Sequence, residues 1–385
     1  GGNVKHIHRK NRDGFKAGAL AEGLKQAKGE FVAIFDADFV PAKDFLLRTL
    51  PHFKDEKVGM VQCKWEHLNE KYSLLTQLQA FGLNAHFTIE QSGRNAANHF
   101  INFNGTAGVW RKQTILNAGG WSADTLTEDL DLSYRAQLKG WKFVYEESVG
   151  SPAELPANIA ALKTQQNRWN KGAAECVRKN LWKVLQSSQL STLTKVNALF
   201  HLMNSTVFLA IIILAFLSVP LLFIKSSSDD YDLLFTVSSI FLLTLPILAY
   251  FYWVSYKQTK PKGAVHFFGL FFTFLSLSMG MSLHNAKAVV EGYLGIKTAF
   301  IRTPKFKLTN LSRFKHPKSN YLNYKWSCVN ALELFFAIYS LYGIILAFQL
   351  MEFGLLPFHF LLFVGFLLVF VYSFFGGLNF KTAVK

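Results

Sequence analysis

Phe31-Val32-Ala33-Ile34-Phe35-Asp36-Ala37-Asp38 is the stretch on which the fold turns. A short apolar run with β-branched members reads as a buried strand. Two carboxylates follow at its carboxyl end, which in open α/β sheets faces the crevice where ligands bind. The i, i+2 spacing lets both carboxylates serve one divalent ion and the phosphates it carries. Asp-x-Asp also occurs as a plain solvated turn, so the surrounding sequence has to decide.

Working outward, strand-like runs fall at Val4–His8, Phe31–Phe35, Gly59–Trp65, Phe100–Phe103 and Trp141–Tyr145. Helical patterns lie between them at Phe15–Ala27, Tyr72–Gln91 and Glu128–Lys139. This alternation predicts an α/β domain with a mainly parallel sheet. The chain opens Gly1-Gly2-Asn3-Val4, without Met or a signal peptide, and reads as strand almost at once. It is therefore expected to start inside a domain.

From Ala198 the composition changes to Phe, Leu, Ile and Val, and much of the chain's 38 Phe lies there. Ala198–Ile224, Tyr231–Trp253, Ala331–Met351 and Leu355–Phe375 are each long enough to cross a bilayer, which takes about 20 residues. Ala264–Leu283 is apolar too, but Lys287, Lys297, Arg302, Lys305, Lys307, Arg313, Lys315 and Lys318 follow it. A span there would carry that cluster to the outer face, against the positive-inside rule. An interfacial or re-entrant segment keeps it cytoplasmic, with Lys257, Lys260, Lys262, Lys381 and Lys385, and leaves Lys225, Asp229 and Asp230 outside. The net charge of +16 then suits an anionic membrane face. No Arg/Lys stripe interleaved with aromatics marks a nucleic-acid surface. Cys63, Cys176 and Cys328 are isolated, with no metal or disulfide spacing, as expected of reduced thiols.

Three further groups carry chemistry. Thr127-Glu128-Asp129 opens the helix Glu128–Lys139, with Thr127 suited to the N-cap. A carboxylate at a helix start in a crevice can act as general base, although the helix dipole favours its ionised form and so weakens it. Gln165, Arg168 and Trp169 stand at i, i+3 and i+4 on one helix face. Arg is a bidentate partner for phosphate, and Trp offers a stacking face for a sugar. Phe103-Asn104-Gly105-Thr106-Ala107-Gly108 is a small-residue turn that lets a substrate approach the backbone.

The order Asp36-Ala37-Asp38, Thr127-Glu128-Asp129, Gln165-x-x-Arg168-Trp169, then apolar helices, resembles the family 2 glycosyltransferases of the processive membrane type. Lys16-Ala17-Gly18 resembles that family's nucleotide-side motif. The runs 12–20 and 103–111 look closest to the cellulose-synthase-like mannan and glucan synthases.

The resemblance implies a GT-A-like (Rossmann-like) α/β domain followed by transmembrane helices, in an integral plasma (inner) membrane protein with its catalytic domain cytoplasmic. It implies Mg²⁺ or Mn²⁺ held by Asp36 and Asp38, and Asp129 as the base. Lys16, Glu128, Gly105, Thr106, Gln165, Arg168 and Trp169 would bind donor or acceptor. Phe300-Ile301-Arg302-Thr303-Pro304-Lys305 looks like the family's gating loop, with Arg302 and Pro304 departing from the pattern; Thr303 and Lys305 take its role. The family's first Asp motif and N-terminal span would precede residue 1.

The expected layout is a catalytic domain over 1–160, interfacial helices over 161–197, two spans over 198–253, an interfacial helix and basic loop over 254–330, and two spans with a tail over 331–385. The expected reaction moves a hexosyl unit, with inversion, from UDP-glucose or GDP-mannose to a growing β-glycan that is then translocated. Single transfer to a lipid acceptor and a non-enzymatic transporter or scaffold are the alternatives.

Overall fold

The computed structural model describes residues 4–259, 263–308 and 327–375. Lys260, Lys262, Arg313, Lys315, Lys318, Lys381 and Lys385, all assigned above to the cytoplasmic side, lie outside the described residues, as does the side chain of Asp229.

The N-terminal half is built on four strands: β1 (Phe31–Ile34), β2 (Val58–His67), β3 (Gly108–Arg111) and β4 (Lys142–Ala153), in the order β1-β3-β2-β4. The sheet is mixed. β3 runs antiparallel to both β1 and β2, and only β2 and β4 pair in parallel. This corrects the mainly parallel expectation. The missed element is β3, four residues between the Gly105 turn and a short helix, too brief for a periodic signal.

Two expected strands do not form. Residues 4–8 are exposed and join no ladder among the described residues. Residues 100–103 are largely buried but non-strand, because side chains satisfy their backbone. Gln137 Oε1 accepts from Ile101 N, Gln137 Nε2 donates to Ile101 O, and Ser133 Oγ accepts from Phe103 N. A segment whose amides are met this way has no need of a ladder partner.

Alternation along the strands feeds two apolar layers. Met60 and Trp110 face one side, with Ile34, Phe103, Ile115 and Leu132; Val61 and Val109 face the other, with Phe45, Phe53 and Val149. This is the period-two pattern of a sheet covered on both faces. The helices α1 (Phe15–Gln26), α2 (Leu74–Ala85), α3 (Glu128–Leu138) and α4 (Ile159–Gln186) complete the half.

Beyond them come α5 (Thr192–Met203), α6 (Val207–Ser227), α7 (Thr244–Gln258), α8 (Ala264–Gly280), α9 (Ser282–Leu294), α10 (Cys328–Gln349) and α11 (Leu356–Phe375). Among the described residues four helical stretches are long and apolar enough to cross a membrane: Thr192–Ser227, Asp232–Gln258, Cys328–Gln349 and Leu356–Phe374. These coincide with the four expected segments to within a few residues, apart from the first, which starts earlier.

The apolar segment between the second and third of these is a pair, α8 and α9, bent by 48° at Met281. Both of its ends touch the N-terminal half. Phe267 packs on Phe81 of α2, and a Cβ on Gly292 would meet Lys171 of α4. Between them, Leu277 and Met281 pack with Leu75, Leu78, Ile159 and Leu162. The bundle has two distinguishable ends. Lys163 of α4 binds Glu333 of α10 at 2.6 Å and Ser373 of α11 at 2.8 Å, while Lys225 pairs with Glu352 at the opposite ends of α6 and α10.

Candidate active site

Asp36 follows β1 by two residues, and its surroundings fix it closely. Thr106 Oγ1 accepts from Asp36 N at 2.9 Å, and Lys16 Nζ donates to Asp36 Oδ1 at 2.6 Å and to Gly105 O at 2.9 Å. Lys16 therefore ties the first turn of α1 to the strand end and to the Gly105 turn. Asp38 pairs through Oδ2 with Lys305 Nζ at 2.7 Å. Both carboxylates of the motif thus face cations. Among the described residues no group of three or more His, Cys, Asp or Glu is set to hold a metal. Two carboxylates supply hard oxygen ligands of the type Mg²⁺ and Mn²⁺ take, with phosphate oxygens able to complete the set.

Asp129 stands in the first turn of α3, beside this cleft. Gly105 makes that approach possible: it has φ +83°, and a Cβ there would come within 2.8 Å of Asp129 Oδ2. Thr127 occupies the N-cap position, but its side chain makes no cap bond; Asp129 Oδ1 instead accepts from Leu130 N. The Thr127 hydroxyl turns to Cys176 of α4, and a Cβ on Gly172 would strike Thr127 at 2.5 Å. The close passage of α4 at Gly172 thus removes the expected cap.

Burial raises both acids here. Glu128 is pushed up to about 7, by burial first and by the neighbouring Asp129 charge second, against the pull of Lys16. Asp129 is raised as well, again chiefly by burial, with Lys16 opposing. Burial outweighs the helix dipole, and the weak base expected from the helix start becomes a stronger one.

Gln165, Arg168 and Trp169 share a helix face, yet the structure divides their work. Gln165 and Trp169 line a cavity of about 540 Å³ that Asp129 also lines. The cavity runs from Trp65, Phe87 and Asn104 in the N-terminal half to Asn204 and Phe208 in the first apolar helices and Ser278 in α8. Its walls mix aromatic faces with amides. Two of these, Asn102 Oδ1 and Asn285 Oδ1, are buried without a hydrogen-bond partner among the described residues.

Arg168 turns instead to the cleft. Its guanidinium lies 4.9 Å from the Phe300 ring, and Nη2 donates to Thr303 Oγ1 at 2.9 Å. Glu128, Asp36 and Asp129 all sustain its charge against burial. Thr303 and Lys305, assigned by resemblance alone, therefore do reach the site, Thr303 on Arg168 and Lys305 on Asp38.

Sequence reading missed three residues at the site. Glu154 holds the segment after Lys305 through two backbone amides. Its signal was a lone carboxylate in Pro152-Ala153-Glu154-Leu155-Pro156. His86 and Glu90 line the cavity from a π-helical turn at His86–Gln91, paired at 2.8 Å. Such turns change which side chains share a face, so an α-helical count does not find them.

The Asp36–Asp38 pair, Asp129 beside it and a cavity leading into apolar helices thus meet at one place. Residues 1–172, which hold Asp36, Asp38, Asp129 and Gln165–Trp169, match the family model described as "Glycosyltransferase like family 2".

Among curated proteins, the chain is similar to the probable glucomannan 4-beta-mannosyltransferase 2 of Oryza sativa subsp. japonica, 42% identical over 210 residues, covering 54% of this chain and 36% of the relative. It is also similar to the probable glucomannan 4-beta-mannosyltransferase 6 of the same plant, 35% identical over 324 residues, covering 81% of this chain and 53% of the relative. That second alignment extends beyond the catalytic domain into the apolar half. The chain spans about a third to a half of the length of these relatives. A solved mannosyltransferase, PcManGT from Pyrobaculum calidifontis in complex with GDP-Man and Mn²⁺, overlaps 76% of this chain and 70% of its own at TM-score 0.44 and 17% identity, too low to carry chemistry across.

Proposed function

We propose that this protein is a membrane-bound inverting hexosyltransferase that extends a β-glycan from a nucleotide-diphosphate sugar and passes the product along the cavity. One observation carries the reading: Asp129 sits at a junction, with the Lys16–Asp36 cleft on one side and the 540 Å³ cavity on the other. A base at that junction meets an acceptor hydroxyl from the cavity while the donor lies in the cleft.

Asp36 and Asp38 would hold Mg²⁺ or Mn²⁺, which when bound supplies positive charge to the donor diphosphate. Arg168 and Lys16 add fixed charge where the leaving diphosphate develops its own. Asp129 takes the acceptor hydroxyl proton, with Glu128, an acid raised to about 7, beside it. Trp169 and Trp65, with ring centroids 6.4 Å apart, offer the terminal sugar of the acceptor apolar faces. A single base facing the donor supports one in-line displacement, and so inversion at the anomeric carbon.

The names of the relatives favour a mannosyl donor, GDP-mannose first and UDP-glucose second. The layout we propose keeps the boundaries given above: catalytic domain to residue 160, QxxRW helices to 197, spans over 198–253 and 331–385, and an interfacial segment between them. The ends of α8–α9, both against the catalytic half, favour the interfacial reading over a fifth span. The positive charge that follows favours a cytoplasmic catalytic domain in the plasma (inner) membrane.

The test is to supply GDP-mannose and UDP-glucose, with Mn²⁺ or Mg²⁺, to membranes bearing the full-length protein and to analyse product linkage and length. A β-linked polymer supports the reading. A single-sugar glycolipid would replace it with lipid glycosylation, and no transfer would leave a transporter or scaffold.

A further inference from the structure

Residues 303–307 cross the cleft as a strap, and one buried residue holds it. Glu154, 6% exposed just after β4, accepts Phe306 N on Oε1 and Lys307 N on Oε2, both at 2.8 Å. Two consecutive amides converging on one carboxylate require a sharp backbone bend. Lys307 supplies it with φ +57°, a left-handed conformation uncommon for a side-chain-bearing residue. The charged hydrogen bonds compensate that strain, such bonds being roughly twice as strong as neutral ones. The same residue's carbonyl accepts Lys305 Nζ at 2.6 Å, which sets the ammonium 2.7 Å from Asp38 Oδ2. Upstream, Phe300 stacks on Phe15 at 5.1 Å, and Lys171 donates to Thr298 Oγ1 at 2.8 Å. The strap is therefore docked along its length, and its one ammonium on the aspartate pair is placed by Glu154.

We propose that Glu154 is a positioning residue that docks the strap so that Lys305 occupies Asp38 in place of a divalent cation, and that a cation-loaded donor enters by exchange with this lysine. The inference rests on the functional reading only in assigning Asp38 to the metal. Its physical content is competition. Asp36 and Asp38 carry two negative charges, balanced in this state by Lys16 and Lys305. Lys16 is held independently by Gly105 O. Lys305 is the partner that leaves when the strap lifts, and strap position is thereby coupled to donor occupancy.

The experiment uses the full-length protein in detergent or nanodiscs, without acceptor, and has two readouts. The first is Mn²⁺ affinity in the presence of GDP or UDP, read by electron paramagnetic resonance. Lys305→Met should tighten it about tenfold, since a cation competing at contact distance is removed, the effect being moderated by solvent at this partly exposed pair. Unchanged or weaker Mn²⁺ binding would overturn the exchange. The second is trypsin cleavage after Arg302 and Lys307 with no nucleotide present. Glu154→Gln keeps the shape but gives up the charge, and should be cleaved several-fold faster than wild type. Equal rates would show that Glu154 does not hold the strap.

Lys305→Met leaves the Glu154 bonds in place, so it answers even if Glu154→Gln fails to fold. If wild type takes up no Mn²⁺ with either nucleotide, the exchange falls together with the donor reading. If donor and Mn²⁺ bind normally and neither variant moves its readout, only the strap inference falls.

Discussion

The two sides of Asp129 are built on different physics. On the cleft side, each carboxylate of the aspartate pair already meets an ammonium, Asp36 with Lys16 and Asp38 with Lys305. Fixed positive charge from Arg168 stands nearby, its guanidinium packed on Phe300. On the cavity side, aromatic faces from Trp65, Phe87 and Trp169 alternate with amides, and two of those amide oxygens lack partners among the described residues. On the proposed function the cleft would recognise concentrated charge, and the cavity a ring with hydroxyls. A transferase joining a phosphate-borne sugar to a neutral glycan needs that division, because binding modes suited to one substrate would hold the other poorly.

The sharpest way to break the comparison is at the aspartate pair. Asp38→Ala should abolish metal-dependent donor binding while leaving acceptor binding intact. Calorimetry or filter binding with GDP-mannose and Mn²⁺ measures the first, and oligosaccharide protection of a cysteine introduced at Ser278 in the cavity wall the second. Loss of both would mean that the two sides are not independent. Asp129→Asn comes next. It keeps size and a good helix-start residue but removes the base, so turnover should fall about 10²-fold or more with donor affinity retained. Donor affinity falling in parallel would make Asp129 a binding residue.

A smaller effect is expected in the cavity. Trp169→Ala removes one stacking face, and the acceptor KM should rise about tenfold, stacking on such rings being worth ~1 kcal/mol or somewhat more. Donor KM should stay within about twofold. A change in donor KM alone would move Trp169 to the cleft side.

How far the sequence carried this division depends on how local each signal is. Asp36, Asp38 and Asp129 stand out in the sequence because they lie at element ends, where a strand or helix start aims the side chain. The apolar helices were legible from length alone. β3 was not: a four-residue strand that itself begins with glycine and ends with arginine has too little periodicity, and its antiparallel place between β1 and β2 is a tertiary fact. Residues 100–103 misled for the opposite reason. They have strand composition, but Gln137 and Ser133 from α3 satisfy their backbone, and nothing local announces this. Gln165, Arg168 and Trp169 were placed on one face, yet Arg168 is drawn to a segment more than 130 residues away. Glu154 escaped for the same reason, since its partners Phe306 and Lys307 are distant in sequence.

The smallest effect is a shift rather than a loss, and it tests whether the junction itself is tuned. Glu128 and Asp129 lie side by side, and burial raises both. Interacting acids titrate as a pair, so the acidic limb of the kcat profile reports the pair and not either residue alone. A base works only when ionised. A raised pKa therefore moves that limb upward, from the ordinary carboxylate range toward the value of about 7 reached at Glu128. Glu128→Gln keeps the volume and removes one of the two negative charges. Asp129 should then ionise more readily, and the limb should move to lower pH by roughly one unit, the scale of a single like-charge neighbour. The plateau rate should fall only a few-fold, because a base of lower pKa accepts a proton less avidly. The measurement is kcat against pH between about 5 and 9, at saturating donor, for both proteins. A limb that stays in place would mean the Glu128 charge is not felt by the base, leaving burial alone to set its strength. A limb that moves to higher pH would mean that Glu128, not Asp129, removes the proton.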